Sequence, residues 1–264
     1  MSARKKNKNQ QDSNPEKRME LSGHLRELRN RILVCVITLL IVMAVALSFA
    51  PQIVEQLLGL GRVYGYTFIY ISPQELLLQY FSVSIVAGVI VALPVLFYEV
   101  WAFIRPGLKS GENGFFLFAM IFGLACFCVG VAFAYKIMLP FMLRFLYSLN
   151  GSSDITASIS VGNYLTFLMT IFLVFGVVFE LPMVSVLLSQ MGLMRPEWLK
   201  KVRKPAIVAI FLLSAVVTPP DVISQIMVAL PVLVLYQLSI FLSAMILRMR
   251  QEKHSEEGRE ERNE

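Results

Sequence analysis

The chain has 264 residues, of which 56% are apolar and only 16% charged, and it carries a formal charge of +6. A soluble domain carries about 25% charged residues. Here the charges crowd into the two ends and a few short loops, which excludes a single large soluble core and describes membrane spans. The excess of Lys and Arg is what cytoplasmic loops accumulate. No basic patch is interleaved with stacking aromatics, so nucleic acid is not an expected partner.

In chain order, residues 1–20 form a polar tail whose composition is not that of a signal peptide. In the run from Leu21 to Ile32, the residues Leu21, Leu25, Leu28 and Ile32 recur at helical spacing and predict an amphipathic stripe along the membrane surface. His24, Glu27 and Arg31 share a face beside it. On spacing alone this is a lead-in to the first span, with Glu27 neutralised by Arg31. Apolar segments follow at about Ile32–Ala50, Leu76–Trp101, Phe115–Leu139, Val161–Gln190, Pro205–Val217 and Val222–Leu247. They predict an all-α membrane protein of six transmembrane helices over 21–247, closed by a charged tail over 248–264. The fifth segment reaches about 20 Å at 1.5 Å per residue, against hydrocarbon about 30 Å thick. The fifth and sixth helices are therefore expected to form a short hairpin.

Lys and Arg assign the sides. Nine lie in the segment to Arg31, two (Arg105 and Lys109) in the 101–114 loop, five in the 191–204 loop and five in the tail. Only Arg62, Lys136 and Arg144 fall on the other side. This bias predicts both termini in the cytoplasm. On the far side, Ser72-Pro73-Gln74-Glu75 and Thr218-Pro219-Pro220-Asp221 each combine a capping hydroxyl, a proline at the first helical position and a carboxylate three residues on. Capping alone accounts for both acids.

The residues offer little to an enzyme. The two histidines, His24 and His254, lie outside the spans; Asp12, Asp154 and Asp221 are scattered; and no Gly-rich phosphate loop appears. Cys35, Cys126 and Cys128 sit in apolar blocks without metal-ligand spacing, so no metal or cofactor is expected. Glu180 stands apart. It lies inside the fourth span, two residues before Pro182, where an ionisable group costs roughly 2.5–3.5 kcal/mol on insertion scales. Either it is a protonated acid bonded to a carbonyl freed by Pro182, or it is a docking point for a polar group on another helix. A proton-coupled or small-solute permease is the alternative that six spans and one buried acid leave open, although a relay would need further charges in other spans.

Four runs carry a resemblance. His24-Leu25-Arg26-Glu27-Leu28-Arg29-Asn30-Arg31 resembles the N-terminal signature of the TatC family, the polytopic receptor subunit of the twin-arginine protein translocase. Pro94, then Tyr98-Glu99-Val100-Trp101-Ala102-Phe103-Ile104-Arg105-Pro106-Gly107-Leu108 with Glu112, resembles its first cytoplasmic loop. Phe175-Gly176-Val177-Val178-Phe179-Glu180-Leu181-Pro182 resembles its fourth-span motif, and Thr218-Pro219-Pro220-Asp221-Val222-Ile223-Ser224-Gln225 its fifth-to-sixth turn.

The resemblance implies a non-enzymatic receptor in a bacterial-type inner membrane. It would bind twin-arginine signal peptides of folded precursors and act with single-span TatA-like and TatB-like partners, self-associating in a complex. By position, Glu27 and Glu112 become carboxylates for the arginine pair, with His24, Leu28, Arg29 and Phe103 around them. Guanidinium pairs bidentately with carboxylate, which discriminates against lysine. Glu180, Thr218, Asp221 and Gln225 become partner-contact candidates, although Gln225 also has a bundle-internal reading; Pro94, Pro182, Pro219 and Pro220 are structural. Three departures from the family pattern stand out: Asn113 and Gly114 follow Glu112 where arginines are common, Ser82 replaces a basic residue, and Glu99 replaces a common Gln.

Overall fold

The computed structural model describes residues 15–104, 113–148, 158–192 and 194–260, with side chains described except at 15–22, 24, 104, 113–117 and 250–260. It is built from helices α1 (Pro15–Val63), α2 (Glu75–Ile104), α3 (Asn113–Phe133), α4 (Leu139–Ser148), α5 (Val161–Val178), α6 (Leu181–Gln190), α7 (Pro196–Lys201), α8 (Arg203–Val217) and α9 (Val222–Glu260). A π-helical turn, Ala134–Met138, joins α3 to α4, and two short strands, β1 (Thr67–Ile69) and β2 (Ser158–Ser160), pair in parallel.

Five stretches are long and apolar enough to cross a membrane: Leu25–Val63, Glu75–Phe103, Phe118–Ser148, Val161–Gln190 and Val222–Met249. The third is α3, the π turn and α4 in series, and the fourth is α5 followed by α6. The sixth membrane helix is the short α8, whose 15 residues reach roughly 22 Å. It packs against α9 as the expected hairpin. The protein is thus an all-α, polytopic, six-span membrane protein. Its surface agrees: Ile37, Ile41, Val45, Phe49, Val91 and Leu230 are all exposed, and apolar surface on this scale marks contact with lipid or with other membrane proteins.

Two helices outrun their expected bounds. The first continues without a break from Pro15 through Pro51 to Val63, so the surface stripe and the first span are one helix. A proline within a helix removes one ladder bond, and Pro51 does not end α1 because the following turns are held by packing: Val54, Leu57 and Leu58 are buried in the main core. The last helix runs beyond Leu247 to Glu260, as a Glu-, Lys- and Arg-rich sequence favours.

At the end where the strands lie, the chain is tightly closed. Gly65, with φ of +89°, turns the chain out of α1, and Gly65 N–H donates to Arg62 O at 3.0 Å; a side-chain-bearing residue would be strained there. The next residue, Tyr66, donates its hydroxyl to Leu143 O at 2.9 Å, and Tyr164 donates to Leu57 O at 2.9 Å. Burial pushes the Tyr66 phenol up to about 12, so it stays a proton donor across the physiological range.

Glu75 completes this closure. Its carboxylate accepts from Ile71 N–H at 2.8 Å and Ser72 N–H at 3.4 Å, and also from Ser160 Oγ and Gly162 N–H. The expected Ser72–Glu75 capping pair is therefore present in one direction, but α2 begins at Glu75 rather than Pro73. The larger role of Glu75 is to tie the start of the second span to the start of the fourth. Ser160 in turn caps α5, accepting from Asn163 N–H at 3.3 Å.

Between spans the contacts are small or polar. A Cβ placed on Gly130 of α3 would lie 2.7 Å from Phe175 O and 2.8 Å from Phe179 Cβ, so only glycine allows α3 and α5 to approach this closely. Ser185 and Ser189 on α6 meet Ser239 and Ser243 on α9: Ser185 Oγ donates to Ser239 O at 3.3 Å, and the Ser189 and Ser243 hydroxyls bond to each other. Small polar residues at this spacing let helices pack closely without an aqueous driving force.

Candidate functional site

Glu27 lies on α1, Arg31 follows one turn later, and Glu99 projects from the last turns of α2. The i, i+4 spacing puts Glu27 and Arg31 on one face, and the packing of α1 along α2 brings Glu99, 68 residues away, onto the same guanidinium. Arg31 Nη2 donates to Glu27 Oε1 at 3.1 Å and Arg31 Nη1 donates to Glu99 Oε2 at 2.9 Å. The Glu27 side chain is 36% exposed, the Arg31 side chain 28% and the Glu99 side chain 10%. Together with Gly23, Arg26, Asn30 and Val34 these residues line an open cleft of about 420 Å³.

This cleft holds one of the two predicted arginine-binding carboxylates. The other, Glu112, lies outside the described residues, as does the His24 side chain. Leu28 is half-buried on α1, Arg29 is exposed and outside the cleft lining, and Phe103 is half-buried on the last turn of α2. Sequence reasoning marks Glu99 only as a departure from the family pattern, not as a site residue. Its signal in the sequence was a carboxylate standing where a neutral amide is common, but nothing in the spacing linked it to Arg31.

The second site is the fourth span. The span is not one continuous helix: α5 ends at Val178, and α6 begins at Leu181 with Pro182 in its first turn. Across the break, Phe179 N–H donates to Phe175 O at 3.0 Å and Glu180 N–H to Val177 O at 3.1 Å. Pro182 has no N–H to continue the ladder, so the helix restarts with Val184 N–H donating to Glu180 O at 2.9 Å. Glu180 occupies the N-cap of α6 without bonding its amides.

Both Glu180 carboxylate oxygens are buried and, among the described residues, neither has a hydrogen-bond partner. The bond to a proline-freed carbonyl is not made. Gly123 of α3 leaves room for the group: a Cβ there would lie 3.3 Å from Glu180 Oε2. Around the break, Val178 is buried with Ile210 of α8 and with Ala229 and Val232 of α9, so this part of the span packs against the hairpin, while the Glu180 carboxyl faces Gly123 of α3. Most buried polar groups are bonded, and this carboxyl group is an exception among the described residues.

The hairpin residues are engaged within the chain. Thr218 Oγ1 donates to Ser214 O at 2.8 Å and closes α8. Asp221, rather than Thr218, caps α9: Ser224 N–H donates to Asp221 Oδ1 at 2.7 Å and Ser224 Oγ to Asp221 Oδ2 at 2.5 Å. Gln225 Nε2 donates to Phe211 O at 3.0 Å, tying the first turn of α9 to α8. Pro219 and Pro220 form the connection between these helices, Pro94 lies inside α2 and Pro231 inside α9. What the hairpin leaves free is its outer face, where Val208, Leu212 and Val216 are 68%, 67% and 79% exposed at i, i+4, i+8 spacing.

Comparison with known proteins identifies the family. Residues 23–231 match the family model described as Sec-independent protein translocase protein (TatC). Proteins named Sec-independent protein translocase protein TatC are similar along most of their length. That of Helicobacter pylori (strain ATCC 700392 / 26695) is 38% identical over 86% of this chain and 88% of its own. That of Desulforapulum autotrophicum is 38% identical over 94% and 92%, and that of Aquifex aeolicus is 37% identical over 89% and 98%. A crystal structure of the twin arginine translocase receptor TatC superposes with a TM-score of 0.78 at 36% identity, covering 84% of this chain and 99% of that one. The chain belongs to the TatC family of Sec-independent protein translocase proteins and is a subunit of the twin-arginine translocase.

Proposed function

We propose that this subunit is the receptor of the export system: it binds twin-arginine signal peptides of folded precursors in the cleft between α1 and α2, and performs no catalytic step. The observation that carries this reading is Arg31, whose guanidinium is already held between the carboxylates of Glu27 and Glu99 at the cleft. A place that satisfies one guanidinium with charged hydrogen bonds has the chemistry to satisfy another. Glu112 supplies the second acid for the arginine pair. Leu28 and Phe103, both half-buried, shelter the pairs from water, and the apolar segment of the signal peptide lies along the lipid-facing side of α1. His24 and Arg29, on the same helix as Glu27, are further candidates for peptide contact.

The distribution of Lys and Arg supports a cytoplasmic position for this cleft and both termini in a bacterial-type inner membrane. TatA-like and TatB-like single-span proteins are the proposed partners, meeting Glu180 and the exposed face of α8, with Thr218, Asp221 and Gln225 shaping that hairpin. Copies of the chain self-associate in the assembled complex.

The test is binding to the full chain reconstituted in lipid. A twin-arginine signal peptide is expected to bind at least about tenfold more tightly than its twin-lysine version, because lysine forgoes the bidentate contacts. Equal binding of the two would sink the receptor reading and return a permease to consideration.

A further inference from the structure

Arg31 is held unequally by its two acids. Glu99 is nine-tenths buried, while Glu27 is more than a third exposed. Among the described residues Arg31 is the only cation within ion-pair distance of Glu99. A buried carboxylate that loses its cation is left without either protein or water to satisfy it, which is strongly unfavourable. An exposed carboxylate is rehydrated when its partner leaves, and such pairs contribute little. The bridge should therefore open at Glu27 and stay closed at Glu99. The geometry permits this, since the two acids engage different nitrogens of the guanidinium, Nη2 and Nη1.

We infer that Glu99 is a positioning residue for arginine recognition: it retains Arg31, so that Glu27 exchanges the Arg31 guanidinium for one arriving on a signal peptide. The inference rests on the receptor reading above and adds a regulation of the same site. With Arg31 on Glu27 the cleft is charge-balanced: Arg26 and Arg31 stand against Glu27 and Glu99. In the bound state each acid still has one guanidinium, and no buried charge is left alone. A lysine ammonium, a single point charge, is a poorer competitor for the contact that Arg31 gives up. The internal arginine thus sets the threshold that an incoming side chain must exceed, and Glu99 sets how firmly that threshold is held.

The experiment measures the affinity of the full chain in lipid for a fluorescent twin-arginine signal peptide, with the twin-lysine peptide as reference. If the wild type does not discriminate between the peptides, the receptor reading falls, and this inference with it. Where it does discriminate, Glu99→Gln is expected to bind about tenfold more weakly, because Arg31 then falls back on Glu27 with full strength. Adding Arg31→Gln to Glu99→Gln removes the competitor and is expected to restore affinity to the wild-type level or better. An unchanged Glu99→Gln affinity would overturn the inference. So would a double variant as weak as Glu99→Gln, which would mean that Glu99 touches the peptide or serves only the fold. Should Glu99→Gln fail to assemble, Arg31→Lys decides. Its single ammonium is expected to stay on buried Glu99 and free Glu27, giving affinity at or above wild type, whereas a tenfold loss contradicts the exchange.

Discussion

Replacing Glu27 by alanine is expected to weaken capture of a twin-arginine peptide roughly tenfold to a hundredfold, since charge-assisted hydrogen bonds contribute about 1.5–3 kcal/mol. The size of the effect depends on shelter. The Glu27 side chain is 36% exposed, and an exposed pair is worth about 0–1 kcal/mol. A peptide lying over the cleft excludes water and moves the pair toward the upper range. Glu112→Ala is expected to act in the same direction. Membrane insertion and stability of Glu27→Ala should be unaffected, because Arg31, its ion-pair partner among the described residues, keeps Glu99. Peptide titrations combined with thermal unfolding of the reconstituted protein check both halves. Full capture by both variants would show that the arginines are read elsewhere.

Replacing Glu180 by methionine should separate stability from export. The carboxyl group is buried without a partner among the described residues, and an unsatisfied buried polar group costs about 1–3 kcal/mol. Methionine has a similar length and no polar atoms to satisfy, so Glu180→Met is expected to raise the unfolding temperature of the isolated subunit. Peptide binding should be retained, because the cleft lining comes from α1 and α2 and includes no residue of α5 or α6. Export, and crosslinking to single-span partners, should be lost. On the proposed reading, Glu180 is retained at a cost to stability because a partner helix uses it. A variant that exports normally would reduce Glu180 to a packing residue.

How much of this was visible in the sequence differs between the spans and their contacts. Runs such as Ile32–Ala50 and Leu76–Trp101 lie inside α1 and α2 because hydropathy reports what must face lipid, and the shortness of the fifth span was visible for the same reason. Hydropathy does not report where a helix ends in water. That is why α1 reaching Val63 and α9 reaching Glu260 were not foreseen. The parallel pairing of Thr67–Ile69 with Ser158–Ser160 joins segments 91 residues apart, and strands of three residues leave no alternation to read. Glu180 and Pro182 were legible as an anomaly, yet the break they mark was not, since a proline in the first turn of a restarted helix looks like a proline inside a continuous one.

The same division runs through the candidate site. The i, i+4 spacing pairs Glu27 with Arg31, and the structure places them 3.1 Å apart. Glu99 joins them only through the packing of α1 on α2, which no local pattern encodes. Asp221 takes the capping role expected of Thr218 because the helix starts three residues later than the Ser/Thr-Pro pattern implies. Motif resemblance supplied the family, while contact geometry supplied the asymmetry of the arginine bridge.

The most direct measurement is photo-crosslinking of a stalled precursor to the full chain in membranes, with a photoreactive amino acid at Asn30 in the cleft or at Tyr70 beside the strand end. Asn30 lines the cleft and Tyr70 is 59% exposed at the opposite end of the bundle. Crosslinks from Asn30 to the residues flanking the arginine pair, lost with a twin-lysine precursor and absent from Tyr70, are the predicted result. Crosslinks from Tyr70, or from Asn30 irrespective of arginine or lysine, would contradict the account.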